Sequence, residues 1–145
     1  MKIYLVRHGQ AVGPEIDPER PLTKQGIAEV VALAKQIKRK SFGIDEICHS
    51  GVLRAKQTAE ILQKELGGNL PLSQVDDLLP GSEPKIWAEK LEQGNKNTML
   101  VGHMPYMALL GELLIENESS LGFSTASMIS FVYEEDGFKL DWKSQ

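Results

Sequence analysis

The chain has 145 residues, room for one domain at roughly 150 residues each and too little for two. Apolar residues make up 41%, enough to build a core and too many for a disordered chain. Sixteen Lys and Arg against twenty Asp and Glu give a net charge of −4. With no cationic excess to displace counterions, a nucleic-acid partner is not expected, although a local positive pocket is not excluded. The one cysteine rules out an intrachain disulfide and a cysteine-based zinc site.

The chain opens on Ile3–Val6, an unbroken apolar run of the kind buried on both faces of a sheet. The run is too short for a signal peptide or a membrane span, so a cytoplasmic protein with no membrane partner is expected. It ends in Arg7-His8-Gly9, followed by a Pro-, Gly- and acid-rich loop from Gln10 to Leu22. Thr23 is a helix cap, and Ile27, Val30, Val31, Ala34 and Ile37 recur at helical spacing toward Lys38-Arg39-Lys40. Those three cations suit a helix C-terminus. Glu46–Cys48 is a second strand, broken by His49-Ser50-Gly51. Ala55, Ala59, Leu62 and Leu66 then mark a helix stopped by Gly67-Gly68.

Asn69 to Gly81 reads as an irregular connection. Ser82-Glu83-Pro84 opens a third helix with Ile86, Trp87 and Leu91 inward and Gly94 as its stop. Thr98–Val101 is another buried strand, followed by Gly102-His103-Met104-Pro105 and an apolar helix from Tyr106 to Ile115. Ala126–Tyr133 and Phe138–Trp142 flank Asp136-Gly137 as a terminal hairpin. Strand and helix alternate before that hairpin. The fold expected over residues 1–145 is therefore a three-layer α/β domain: a mostly parallel sheet, helices on both faces and a C-terminal antiparallel hairpin.

Ligands of such sheets bind beyond the carboxyl ends of the strands. Three polar clusters fall there: Arg7-His8, His49-Ser50 with Arg54, and His103. Two arginines and two or three histidines meeting beside two helix N-termini describe an anion site, most naturally for a phosphoryl group. His49 reads as rim or filler, Cys48 as core packing rather than a nucleophile, and Trp87 and Trp142 as packing at the edge of the core. No metal motif is present and no cofactor is expected.

Arg7-His8-Gly9, the stretch Ser50-Gly51-Val52-Leu53-Arg54-Ala55-Lys56-Gln57-Thr58-Ala59, and Val101-Gly102-His103 resemble the three signature segments of the histidine phosphatase (phosphoglycerate mutase-like) superfamily. The short chain, Arg20-Pro21-Leu22-Thr23 with Gly26, and Phe123-Ser124-Thr125-Ala126-Ser127 resemble its SixA-type phosphohistidine phosphatases. The resemblance implies a metal-independent phosphatase. His8 would be the nucleophile that becomes phosphohistidine. Arg7, Arg54 and His103 would hold the phosphoryl oxygens, with Arg20 at the pocket rim. It also implies a phosphorylated protein substrate, such as a histidine-containing phosphotransfer domain of a signalling pathway. A small phosphate ester is the alternative, and a non-catalytic phosphate-binding module is the reading from another class.

The chemistry fits those roles. A neutral imidazole splits one hard displacement at phosphorus into two easier ones, and charged donors stabilise the equatorial oxygens. His103 would help most as a cation, which places the expected pH optimum on the acidic to neutral side. Relatives that cleave phosphate monoesters carry a carboxylic acid to protonate the departing alkoxide. Here Asp77 is the candidate acid, with Asp76 and Glu83 nearby in sequence. A phosphoramidate demands that acid less, because imidazole is the better leaving group.

Overall fold

The computed structural model describes residues 1–116 and 121–145. Its strands are β1 (Lys2–Arg7), β2 (Glu46–His49), β3 (Leu72–Gln74), β4 (Thr98–Gly102), β5 (Ser127–Glu134) and β6 (Gly137–Lys143). The helices are α1 (Lys24–Lys40), α2 (Leu53–Glu65), α3 (Pro84–Gln93) and α4 (Tyr106–Ile115). The strands form one sheet in the order β3-β2-β4-β1-β5-β6. Neighbours among β1 to β4 run parallel, whereas β5 is antiparallel to β1 and to β6. This is the expected three-layer architecture.

Alternation along β1 explains the two hydrophobic layers. Ile3 and Leu5 pack with Trp87, Leu91, Tyr106, Met107 and Leu110 of α3 and α4. Tyr4 and Val6 pack with Val30, Leu33, Ala55 and Leu62 of α1 and α2. Both faces of the sheet are therefore covered, and β1 must be apolar at every inner position.

The helix ends follow local chemistry. Thr23 caps α1, its hydroxyl accepting from Gly26 N at 2.9 Å, a contact worth about 1 kcal/mol. Lys38, Arg39 and Lys40 occupy the last turn, at the negative end of the helix dipole. Pro84 sits in the first turn of α3, but Glu83 rather than Ser82 caps it, accepting from Lys85 N at 3.3 Å. Ser82 instead accepts from Leu79 N at 3.0 Å in the preceding loop.

Three expectations need correction. The stretch from Asn69 to Gly81 is not wholly irregular, because Leu72–Gln74 adds a parallel edge strand to β2. The buried stripe of α1 is Gly26, Val30, Leu33, Ala34 and Ile37, whereas Ile27 is 44% exposed. The close approach of Gly26 to Gln10 rotates the stripe, since a Cβ at Gly26 would collide with the Gln10 carbonyl. In α3, Trp87, Ala88 and Leu91 face inward and Ile86 is exposed. Trp87 also donates from its indole N–H to Asp76 O at 2.8 Å, anchoring the β3–α3 loop.

Candidate active site

Strand register brings the three polar clusters to one level. Arg7 of β1 lies beside Gly102 of β4, and His49 of β2 lies beside Val101. One residue further along each strand, His8, His103 and Ser50 leave the sheet at the same edge. His8 N–H still donates to Gly102 O at 3.0 Å, so the chain after β1 stays against the end of β4. The His8 and His103 rings lie 5.2 Å apart between centroids, at 58° to each other.

His8 is buried and its protonation is fixed by geometry. Its Nδ1 lies 2.7 Å from Gly9 O. A carbonyl only accepts, so Nδ1 carries the proton and Nε2 keeps the lone pair. Arg54 Nε–H points at that lone pair from 3.3 Å, a long bond that an incoming electrophile can replace. Burial first, with Arg54, Arg7 and Arg20 adding to it, pushes the His8 pKa down to about 4 against the opposing effect of the Gly9 carbonyl. At neutral pH the ring is uncharged, with its Nε2 lone pair available.

His103 lies deeper, 1% exposed, and its Nε2 is 2.7 Å from Ser50 Oγ. Burial first, then His8 and Arg54, push its pKa down to about 3. The cationic His103 expected from sequence is thus a neutral ring in this structure, and it contributes an N–H dipole rather than a full charge. Arg7 Nη1 donates to Phe123 O at 2.8 Å, leaving its buried Nε without a partner among the described residues. Arg20 has a left-handed backbone, φ 51°, and donates from Nε to Val12 O at 3.0 Å. From there its charge acts on both His8 and Arg54.

The helices that begin beside these side chains, α2 and α4, have no side-chain cap. Their first N–H groups and dipoles add positive potential where the arginines already gather. Positive potential therefore gathers at this edge of the sheet.

The remaining signature residues hold this arrangement together. Thr58 Oγ1 accepts from Gly9 N at 3.0 Å and donates to Arg54 O at 2.8 Å, tying the loop after β1 to α2. Gln57 Oε1 accepts from Leu22 N at 2.8 Å, tying the returning loop to the same helix. Gly9 has no room for a side chain, because a Cβ would sit 2.8 Å from Val30 Cγ2 and 3.1 Å from Gly26 O. The segment from Phe123 to Ser127 supplies the carbonyl for Arg7, and its Ala126 N–H donates to His8 O at 3.1 Å. Sequence reasoning placed Gln57, Thr58 and Phe123 only inside motifs. Their partners lie 35, 49 and 116 residues away in the chain, and no local pattern announces such contacts.

Two further candidates are His49 and Asp77. His49 is buried as filler: its Nδ1 accepts from Gly51 N at 3.1 Å, and the charges that act on it are Glu60 and Lys56. Asp77 follows β3 with φ 65°, and its charge acts on the Tyr106 phenol. The charges acting on His8 and His103 come from the arginines and from His8 itself. Cys48 is core, its thiol pushed up by burial, and Trp142 packs edge-on against Phe42. Among the described residues, no three His, Cys, Asp or Glu side chains group so as to hold a metal ion. No helix among them is long and apolar enough to cross a membrane.

Comparison with known proteins places this geometry. The chain is 28% identical over 146 residues to the phosphohistidine phosphatase SixA of Escherichia coli, covering 94% of this chain and 88% of that protein. It is 34% identical over 117 residues to an uncharacterised protein of Picosynechococcus, covering 72% and 67% of the two chains. Its fold superposes with a TM-score of 0.88 on the protein histidine phosphatase SixA complexed with tungstate, at 26% identity over 99% and 96% of the two chains. The phosphoserine phosphatase of Entamoeba histolytica, solved with 3-phosphoglyceric acid, shares the fold alone: TM-score 0.73, 17% identity, 99% and 96% coverage. The histidine phosphatase superfamily (branch 1) model matches residues 3–79, a span that contains Arg7-His8-Gly9 and the whole Arg54–Thr58 segment. This chain belongs to branch 1 of the histidine phosphatase superfamily.

Proposed function

We propose that this protein is a phosphohistidine phosphatase that removes the phosphoryl group from a protein histidine through a phospho-His8 intermediate. The observation that carries the reading is the state of His8: Nδ1–H locked on Gly9 O, Nε2 unprotonated, and a guanidinium beside it. Similarity to SixA proteins along nearly the whole chain supports the same substrate class.

In the first step the Nε2 lone pair attacks phosphorus and the phosphorus–nitrogen bond of the substrate breaks. The substrate ring, already protonated on its other nitrogen, takes the bonding pair and leaves as neutral imidazole, and His8 becomes a phosphoimidazolium that keeps Nδ1–H on Gly9 O. In the second step water attacks the phosphorus, inorganic phosphate departs and neutral His8 returns. Arg7 and Arg54 hold equatorial oxygens by charge-assisted bonds, His103 adds a further donor, and Arg20 borders the entrance. Each preorganised donor is worth about 2.7–4 kcal/mol of barrier, by analogy with oxyanion holes. None of these steps draws on a metal ion or a cofactor.

The side-chain hydrogen bonds of His8 and His103 run to Gly9, Arg54 and Ser50 and not to Asp77, which suits a leaving group that does not require a proton from a neighbouring carboxylic acid. A phosphorylated histidine on a phosphotransfer domain meets that condition. The test is a side-by-side assay on phosphohistidine protein, p-nitrophenyl phosphate and a phosphoserine peptide. The expected rate order is the order given. Faster hydrolysis of the alkyl ester would favour a phosphatase of small phosphate esters instead.

A further inference from the structure

Ser50 belongs to the second polar cluster, yet nothing above gives it a task. It is 7% exposed, and its Oγ has two neighbours: Val52 N at 3.3 Å and His103 Nε2 at 2.7 Å. A backbone N–H can only donate, so the Val52 contact uses one lone pair of the hydroxyl. The hydroxyl proton then needs an acceptor. Among the described residues His103 Nε2 is the one within reach.

The opposite arrangement fails on hydrogen-bond accounting. If Nε2 carried the proton, Ser50 Oγ would accept from both His103 and Val52. Its own O–H would then be buried with no acceptor. With Ser50 donating, Nε2 is the acceptor and the ring proton sits on Nδ1. That atom is buried and has no partner among the described residues.

We propose that Ser50 is a positioning residue that fixes His103 as the Nδ1–H tautomer, so that the nitrogen left without a protein partner is a donor for a phosphoryl oxygen. This rests on the phosphoryl-transfer reading of the site given above. The consequence is specific to a neutral ring, which has one N–H to offer. The wrong tautomer would turn a lone pair toward the oxygens and repel them. His8 and His103 are then matched opposites. The Gly9 carbonyl forces a proton onto Nδ1 of His8 and frees Nε2 to attack, whereas the Ser50 hydroxyl occupies Nε2 of His103 and leaves Nδ1–H to bind.

The test is long-range proton–nitrogen NMR of the histidine rings in wild type, Ser50→Ala and Ser50→Thr, with and without inorganic phosphate. It is paired with steady-state kinetics on p-nitrophenyl phosphate. Wild type and Ser50→Thr should show His103 protonated at Nδ1, with phosphate shifting that proton. In Ser50→Ala the tautomers should mix, and kcat should fall about tenfold with little change in KM, because a donor is mispositioned rather than removed. Ser50→Thr should restore the rate. Wild-type His103 protonated at Nε2, or a Ser50→Ala variant with unchanged tautomer and rate, would overturn the proposal. The wild-type spectrum decides even where Ser50→Ala does not fold. Because the tautomer and phosphate readouts involve no phosphohistidine, they stand apart from the choice of substrate.

Discussion

Thr58→Val separates the scaffold of the site from its chemistry. Thr58 is fully buried, and its hydroxyl is the partner of the Gly9 N–H and a donor to Arg54 O. Valine fills nearly the same volume, so a cavity contributes little. The dominant loss is the Gly9 N–H, left buried without an acceptor at a cost of about 1–3 kcal/mol. Arg54 O retains its place in the α2 ladder and loses less. At about 2–4 °C per kcal/mol for chains of this size, the melting temperature should fall by several degrees. The same residue presents its carbonyl to His8 Nδ1 at 2.7 Å, so loosening Gly9 should also degrade the nucleophile. We expect kcat on p-nitrophenyl phosphate to fall about tenfold, which corresponds to about 1.4 kcal/mol of barrier. Thermal denaturation and turnover are measured together, with Thr58→Ser as the control that keeps the hydroxyl. A Thr58→Val protein within 0.5 kcal/mol of wild type and with wild-type kcat would refute the assignment of Thr58 as the tie between the two motifs.

Arg54→Ala should lower kcat/KM by about 10²–10³-fold, the effect of losing one preorganised donor, and should raise the His8 pKa because Arg54 is among the causes of its depression. Histidine NMR titration checks the second part, and an unmoved His8 pKa would contradict it. Acid should destabilise the fold: the folded His8 pKa of about 4 lies below the ordinary 6.5, so the folded state binds fewer protons. Stability is then full above pH 6.5 and is lost as pH falls toward 4, by about 3 kcal/mol from His8 alone at 1.36 kcal/mol per pKa unit. Urea unfolding at pH 7.5 and 4.5 measures this, and equal stabilities would refute it. Asp77→Asn should be nearly harmless toward phosphohistidine. A collapse of activity in that variant would mean that the carboxyl group protonates the leaving group after all.

The site was legible in the sequence wherever a buried strand runs straight into polar residues. Ile3–Val6 into Arg7-His8 and Thr98–Val101 into His103 are such junctions, and strand register then carries both histidines to one edge. The third layer of information was not local. Leu72–Gln74 has three residues, two of them exposed, and becomes a strand because β2 offers an unpaired edge. Ile27 fits the helical period of α1, yet the approach of Gly26 to Gln10 decides which side faces the sheet. The histidine charges were hidden for a related reason. Protonation depends on burial and on guanidinium groups brought from distant segments, so His103 reads as a cation in sequence and is neutral in place. Likewise Thr58 and Phe123 act through partners that only the folded chain supplies.

The central claim is covalent transfer to His8, and rapid-quench mass spectrometry tests it most directly. The wild-type protein is mixed with a phosphohistidine-bearing phosphotransfer domain, stopped in alkali within the first turnover, and mapped for phosphoryl adducts. The expected result is phosphate on His8, formed and lost at rates that match turnover, and absent in His8→Ala, which should still bind inorganic phosphate with reduced affinity. Full turnover with no adduct on His8, or near wild-type activity in His8→Ala, would contradict it.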